Sequence, residues 1–195
     1  TSITYMLESI LKEAGREVGV IGTINYRWKG GEVPAPNTTP ESRDVQAMVR
    51  AMADDGVDAL VMEVSSHGLK LGRVDDVEFD AGIFTNLTRD HLDFHLTFED
   101  YFASKLLLFD LVGRSGKGRR AGIVNCDDEY GRTILRGRGE RPYPLFGFGL
   151  SEDADYRPEV SSIHNSIEGV RYTLERPAPG AVIDLRVAGG FHVYN

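Results

Sequence analysis

Cysteine is nearly absent from this 195-residue chain, and that absence sets the first limits. Cys126 is the only one, so an intrachain disulfide and a cysteine-built zinc cluster are both excluded. A single thiol fits a reducing compartment, and a cytoplasmic location is the expectation. Long apolar runs are also missing. Nothing approaches the length of a membrane-spanning helix, and no signal-peptide pattern opens the chain. Positive charge is in deficit: 22 Lys and Arg stand against 30 Asp and Glu, for a net charge of -8. A general nucleic-acid binder needs a basic face and is disfavoured. An anionic small substrate is not excluded, because helix N-termini, a few cations and bound metal can hold phosphate locally. There are no internal repeats, no low-complexity tract and no G-x-S-x-G elbow of the kind that presents a nucleophilic serine. Thr1 is not a natural start, and the expectation is a portion of something longer.

What is present suits one domain with a sizeable core. Ile3, Met6, Leu7, Ile10, Leu11 and Ala14 recur at helical spacing, which predicts an amphipathic helix over 1–14 with Gly15 as its stop. Val18 to Gly22 is a short apolar strand. Residues 23–40 read as a loop with Gly30-Gly31 and three prolines, closing on Asn37-Thr38-Thr39-Pro40. There Thr39 suits an N-cap and Pro40 the first helical position. A second helix carries Val45, Met48, Val49 and Met52. Val57 to Val64 is a strand apolar enough for burial on both faces of a parallel sheet, and Ser65 to Gly68 is a polar turn. Further strands are expected at 79–84, 121–125 and 143–148, with a helix over 127–135. Alternating patterns at 160–163, 170–174 and 181–187 predict antiparallel hairpins. The fold class is therefore α/β: a doubly wound, mostly parallel sheet with a small antiparallel β subsheet toward the C-terminus.

The stretch Phe84 to Phe109 organises the chain. Its first part ends a strand and crowds Arg89, Asp90, His91, Asp93 and His95 into a polar loop. Its second part is a helix, opened by a capping box of Thr97 and Asp100. Phe98, Tyr101, Phe102, Lys105 and Phe109 share one face of that helix, so Lys105 is a cation in an apolar stripe. Such a lysine either snorkels to solvent or holds its amine near a charged site.

Ligands in open α/β sheets bind at the carboxyl ends of strands. Glu63 and His91 follow two such strands and could supply a carboxylate and an imidazole to a hard divalent cation. Thr1, at a helix N-terminus, could add a hydroxyl beside a triphosphate. A lysine depressed in pKa by burial can take up carbon dioxide and become an anionic carbamate, which would suit Lys105 to a second cation. A rival reading is a metal-dependent hydrolase on His91 and His95, four apart, with Asp90 and Asp93 beside them. The cap at Thr97 puts His95 ahead of the helix, so the two rings need not converge. A Ser-His pair from Ser65 or Ser66 with His67 is weaker still.

Four stretches carry a resemblance: VGVIGTINY, NTTPES, VMEVSSHGLKLGRV, and FTNLTRDHLDFH with the following YFASK. Together they cover most of residues 17–109, and in combination the sequence resembles the central, ATP-binding domain of the Mur ligase family, in its MurE type; the rest matches more loosely, and the resemblance implies one such domain over 1–195. That resemblance implies an ATP-dependent ligase of peptidoglycan biosynthesis. The γ-phosphate of ATP would pass to the carboxylate of UDP-N-acetylmuramoyl-L-alanyl-D-glutamate. The amine of meso-diaminopimelate or L-lysine would then displace phosphate. ATP and Mg2+ are the implied cofactors; neither nucleic acid nor membrane is an implied partner. By family motif, Thr1 matches the last residue of the phosphate loop, with Ser2 beside it and the loop's earlier residues upstream. Glu63 and His91 match magnesium ligands, and Lys105 matches the carbamylated lysine. Thr38, Thr39, Ser65 and Arg73 match positions that bind the UDP-muramoyl peptide. Asn86 and Asn195 match nucleotide-site residues. His192 departs from the family's usual FNVYN. The resemblance also places a uridine-gripping domain before this one and an amino-acid-binding domain after it, and implies that this portion alone does not ligate. A catalytically inactive nucleotide-binding module is the non-enzyme alternative.

Overall fold

A computed structural model describes residues 1–88 and 94–194. They form two compact units, Thr1–Val77 with His91–Leu108, and Glu78–Asp90 with Phe109–Asn195.

The first unit opens on α1 (Ser2–Glu13), whose Leu7 and Leu11 pack on Val18, Val20 and Val61. The rest of the helix face is less buried than its spacing predicts: Ile10 is 63% exposed, whereas Thr4 and Glu8 are buried. Glu8 is tolerated there because Arg27 and Lys12 reach its carboxylate, at 2.9 Å from Arg27 Nε and 2.7 Å from Lys12 Nζ. Strand β1 (Val18–Ile21) is buried throughout. It pairs in parallel with β4 (Ala59–Met62) and antiparallel with β2 (Asn25–Trp28), which in turn pairs with β3 (Gly31–Pro34), giving the order β3-β2-β1-β4.

The β2–β3 hairpin corrects the loop expected over 23–40. Trp28 faces Gly31 across a two-residue turn, and Lys29 and Gly30 both take positive φ, 49° and 75°. Those angles match the turn whose twist suits a hairpin. Two consecutive positive φ values need a residue without a Cβ in at least one place, and Gly30 provides it. Helix α2 (Ser42–Asp54) follows, capped at Glu41 rather than at Thr39. Met52 from α2 packs with Ile21 and Tyr26. Strand β4 is only partly buried, with Val61 alone fully so, against the two-sided burial expected. The turn after it is a short helix, α3 (Ser66–Lys70), capped by the Ser65 hydroxyl, which accepts from the Gly68 amide at 3.0 Å. Helix α4 (Phe98–Arg114) starts as expected: Thr97 Oγ1 accepts from the Asp100 amide at 3.1 Å.

In the second unit β5 (Ala81–Phe84), β6 (Ala121–Asn125) and β7 (Leu145–Phe148) form a parallel sheet in that order. Among the described residues the parallel pairings thus fall in two sheets. Helix α5 (Glu129–Arg136) is capped by Asp128, which accepts from the Tyr130 and Gly131 amides. The Tyr143 hydroxyl donates to the Phe109 carbonyl at 2.5 Å, fixing the last part of α4 against this sheet. Toward the C-terminus β8 (Arg157–Pro158), β9 (His164–Asn165), β10 (Val170–Arg176) and β11 (Val182–Leu185) make the expected antiparallel subsheet around β10. The strand expected at 160–163 is instead a 3-10 turn at Val160–Ser162. A second 3-10 turn, Gly190–Tyr194, holds His192 buried and Phe191 65% exposed.

Candidate active site

The first unit gathers several of the sequence candidates at the carboxyl ends of β1 and β4. Glu63, one residue beyond β4, turns its carboxylate back toward β1. Its Oε1 accepts from the Thr23 amide at 3.2 Å. Its Oε2 accepts from the Thr23 hydroxyl at 2.9 Å and from Thr1 Oγ1 at 3.1 Å. Gly22 makes room for this: a Cβ there would lie 2.7 Å from Glu63 Oε1. Burial pushes the Glu63 carboxyl up, while hydrogen bonds from the Thr23 hydroxyl, the Thr23 amide and the Thr1 hydroxyl pull it the other way. The anionic form is therefore favoured at neutral pH. Thr1 precedes α1 and spends its side chain on Glu63 instead of capping. The amide groups of the first turn, with exposed Ser2, stay directed at the same end.

Thr38 joins through Thr23, the two hydroxyl oxygens being 3.1 Å apart. Thr39 is buried at 1% exposure. Its hydroxyl donates to the Glu63 carbonyl at 3.1 Å and accepts from the Ser65 amide at 2.8 Å. It is a clasp between the loop and the end of β4, which is why it does not serve as an N-cap. Gly68 lets it approach, since a Cβ there would meet Thr39 Cγ2 at 2.6 Å. Arg73 closes the same loop, donating to the Thr39 carbonyl at 2.9 Å and pairing with Glu41 at 2.5 Å. Its Nε is buried without a partner among the described residues.

Lys105 is half-buried in α4, with Nζ 5.1 Å from the centre of the Tyr101 ring. Tyr101 stacks on His95 at 4.9 Å and 18°, and His95 Nε2 lies 2.9 Å from Ser66 Oγ. A continuous set of contacts thus runs from Lys105 to the residue after Ser65. His91, and with it Arg89, Asp90 and Asp93, lies outside the described residues, as does Asn195. Among the described residues no group of three or more His, Cys, Asp and Glu side chains is placed to hold a metal ion.

The histidine-pair hydrolase is corrected by His95 itself. The ring is 0% exposed, Nε2 faces Ser66, and Nδ1 faces Asp100 Oδ2 at 3.2 Å. Both nitrogens are engaged, and neither has a lone pair left for a metal.

In the second unit Asn86 is exposed just beyond β5, and its neighbours are pinned. Asn125 Nδ2 donates to the Thr85 carbonyl at 2.9 Å, and the Leu87 amide donates to Asp128 Oδ2 at 3.2 Å. Asp127 accepts from the Leu150 amide at 2.6 Å, from the Ser151 amide at 3.0 Å and from the Tyr194 hydroxyl. It thereby ties the final turn to the loop after β7. Burial pushes its carboxyl up, but these bonds, the Ser151 hydroxyl foremost, hold it below the usual range.

One residue escaped the sequence and another was assigned the wrong chemistry. Thr23 was hidden in the segment taken as loop, although its place directly after an apolar strand and Gly22 was a usable signal. His95 was noticed for the wrong chemistry.

The family model described as "Mur ligase middle domain" matches residues 1–195. A UDP-N-acetylmuramoyl-L-alanyl-D-glutamate--2,6-diaminopimelate ligase of Geobacter sulfurreducens is 45% identical over all of this chain and 38% of its own length. This chain therefore spans well under half of that relative. A solved structure of a ligase of the same description superposes with a TM-score of 0.88 at 22% identity, over 100% of this chain and 38% of that one. The MurF ligase of Thermotoga maritima, solved in complex with ADP, superposes with a TM-score of 0.59 at 17% identity over 94% of this chain and 38% of its own. With a full-length match to the family model and a relative this similar, the chain belongs to the Mur ligase family, as its middle domain.

Proposed function

We propose that this chain is the nucleotide-handling domain of an ATP-dependent ligase that joins a diamino acid to UDP-N-acetylmuramoyl-L-alanyl-D-glutamate in peptidoglycan synthesis. The observation that carries the reading is the Thr1–Glu63–Thr23–Thr38 network at the N-terminus of α1. It sets a carboxylate and hydroxyls beside unpaired helix amides, the setting an anionic phosphate and its cation need. The relative named as a 2,6-diaminopimelate ligase favours meso-diaminopimelate over L-lysine as the added residue. In the reaction, the γ-phosphoryl group of ATP moves to the substrate carboxylate, giving an acyl phosphate and ADP. The amine then attacks the acyl carbon, phosphate leaves, and the amine sheds a proton as the amide forms. Charge neutralisation and alignment supply most of the acceleration in such transfers.

The donor set fits Mg2+: Glu63 is held anionic, and its neighbours offer hard oxygen. Glu63 and Thr1, with His91, would hold the ion, and Lys105 as a carbamate would support a second. When bound, the ions would neutralise the β- and γ-phosphate oxygens. Thr1 and Ser2 bind phosphate from the helix end. Thr38, Thr39, Ser65 and Arg73 orient the muramoyl peptide, Thr39 by clasping its loop to the end of β4. Asn86 and Asn195 contact the nucleotide. A cytoplasmic location follows from these substrates. Among the described residues no helix is long and apolar enough to cross a membrane.

The test is phosphate release by the full-length protein. It should require ATP, Mg2+, the nucleotide-linked dipeptide and meso-diaminopimelate together. Release of phosphate from ATP alone at the same rate, or hydrolysis of the nucleotide substrate, would contradict the reading.

A further inference from the structure

Once His95 is removed from the metal candidates, a fully buried polar ring remains that the proposed chemistry does not use. A carboxylate can only accept, so Nδ1–H donates to Asp100, and in the singly protonated ring Nε2 accepts from the Ser66 hydroxyl. Lys70 Nζ reaches the same Asp100 oxygen, Oδ2, at 2.5 Å. The Lys70 ammonium, helped by His95, keeps the Asp100 carboxyl below its usual range despite some desolvation. A purely apolar side chain would serve packing alone. A polar ring at 0% exposure is tolerated because both its nitrogens are satisfied.

The order Ser66, His95, Asp100 looks like a nucleophile, base and orienting acid. It does not build a nucleophile here, because Ser66 is itself only 4% exposed. What the ring does occupy is a junction. Ser66 opens α3 and directly follows Ser65, two residues beyond Glu63. Asp100 lies in the first turn of α4. Tyr101, stacked on the imidazole, is one helical turn ahead of Lys105 and carries the Lys105 ammonium over its ring. One imidazole therefore touches the segment that bears Glu63 and Ser65 and the helix that bears Lys105.

We propose that His95 is a positioning residue that locks the start of α3 to the first turn of α4, so that Glu63, Ser65 and Lys105 are presented as one rigid set. Its kinetic consequence rests on the ligase reading given above.

The test uses the full-length protein with H95F, H95Q, S66A and the S66A/H95F pair. H95F keeps the stacking bulk and loses both hydrogen bonds; H95Q can still bond one partner. Because misplacement of reacting groups by an ångström costs up to ~100-fold, H95F and S66A should each lower kcat by about 10- to 100-fold. KM for ATP should stay within about twofold, as expected when an interaction specific to the transition state is lost. The double variant should be no slower than H95F, and H95Q should recover part of the rate. Amide exchange over 65–70 should quicken in H95F while β1 and β4 stay protected. Wild-type kcat in folded H95F, or losses from S66A and H95F that multiply, would overturn the proposal. If H95F does not fold, S66A and H95Q decide by the same two readouts. If wild-type protein shows no ligase activity, the ligase reading fails alone, and the exchange pattern still decides the positioning role: unchanged exchange over 65–70 refutes it.

Discussion

Gly22→Ala is the smallest change that tests whether the Glu63 carboxylate must sit where it does. An added Cβ would lie 2.7 Å from Oε1, against an ordinary carbon–oxygen separation of about 3.3 Å or more. The carboxylate is the far end of a flexible side chain, so it yields before the backbone does, by roughly 0.6 Å. The Thr23 amide bond to Oε1 is already 3.2 Å. Lengthened by that amount it reaches about 3.8 Å, beyond hydrogen-bonding range. Losing one bond to a charged acceptor costs about 1.5–3 kcal/mol, and a displacement of this size in a positioned group costs up to ~100-fold in rate. The expected result is a folded protein whose kcat/KM for phosphate release drops by at least about tenfold. Gly118→Ala is the control, because a Cβ at Gly118 meets nothing within 4 Å. A Gly22→Ala protein with wild-type kcat/KM would show that the placement of Glu63 is immaterial, and the site built around it would fall.

Three further outcomes follow from the same contacts. Thr23→Val removes the hydroxyl donor to Glu63; loss of such an outer partner should raise the Mg2+ concentration for half-maximal activity by about 10–100-fold, read by titration of phosphate release. Thr39→Val keeps the shape but strands the Ser65 amide and the Glu63 carbonyl; urea unfolding should show a loss of about 2 kcal/mol or more. Glu8→Gln removes the charge that pairs with Arg27 in a partly buried site, and urea unfolding should show a loss of about 1.5–3 kcal/mol. Burial pushes the Glu8 carboxyl up, but Arg27 and then Lys12 outweigh it and hold the group below its ordinary range. A depressed carboxyl contributes stability that is present above its unfolded value and is lost as pH falls through its folded one. Wild-type stability should therefore fall through the acid range more steeply than that of Glu8→Gln, and matching acid limbs would refute the pairing.

The legible parts of the chain were those with local periodicity or local capping. Leu7 and Leu11 announced the core face of α1, and Val45 and Met52 that of α2. Thr97 announced the start of α4 by pairing with the Asp100 amide. The β2–β3 hairpin was missed because its strands are short and its turn, Lys29-Gly30, lacks the Asn-Gly or Asp-Gly pair that usually signals one. Thr39 looked like an N-cap because its neighbours suited one; two distant backbone groups, at Glu63 and Ser65, outcompeted the local use of its hydroxyl. The Val57–Val64 strand was read as buried on both faces because its residues are apolar, but burial depends on what other segments cover, which spacing along one strand cannot report.

Read alone, the sequence determined the α/β class, most of the helices and strands, the family, and which residue types stand after which strands. These depend on neighbours within a few positions, or on motifs whose spacing is fixed along the chain. The tertiary structure decided which of those side chains meet. It put Thr23 under Glu63, turned His95 from a metal candidate into a hydrogen-bonded strap, and set Glu8 in a buried ion pair. Each of these joins residues from separate elements, and the partner that satisfies a buried polar group is fixed only when the elements are packed.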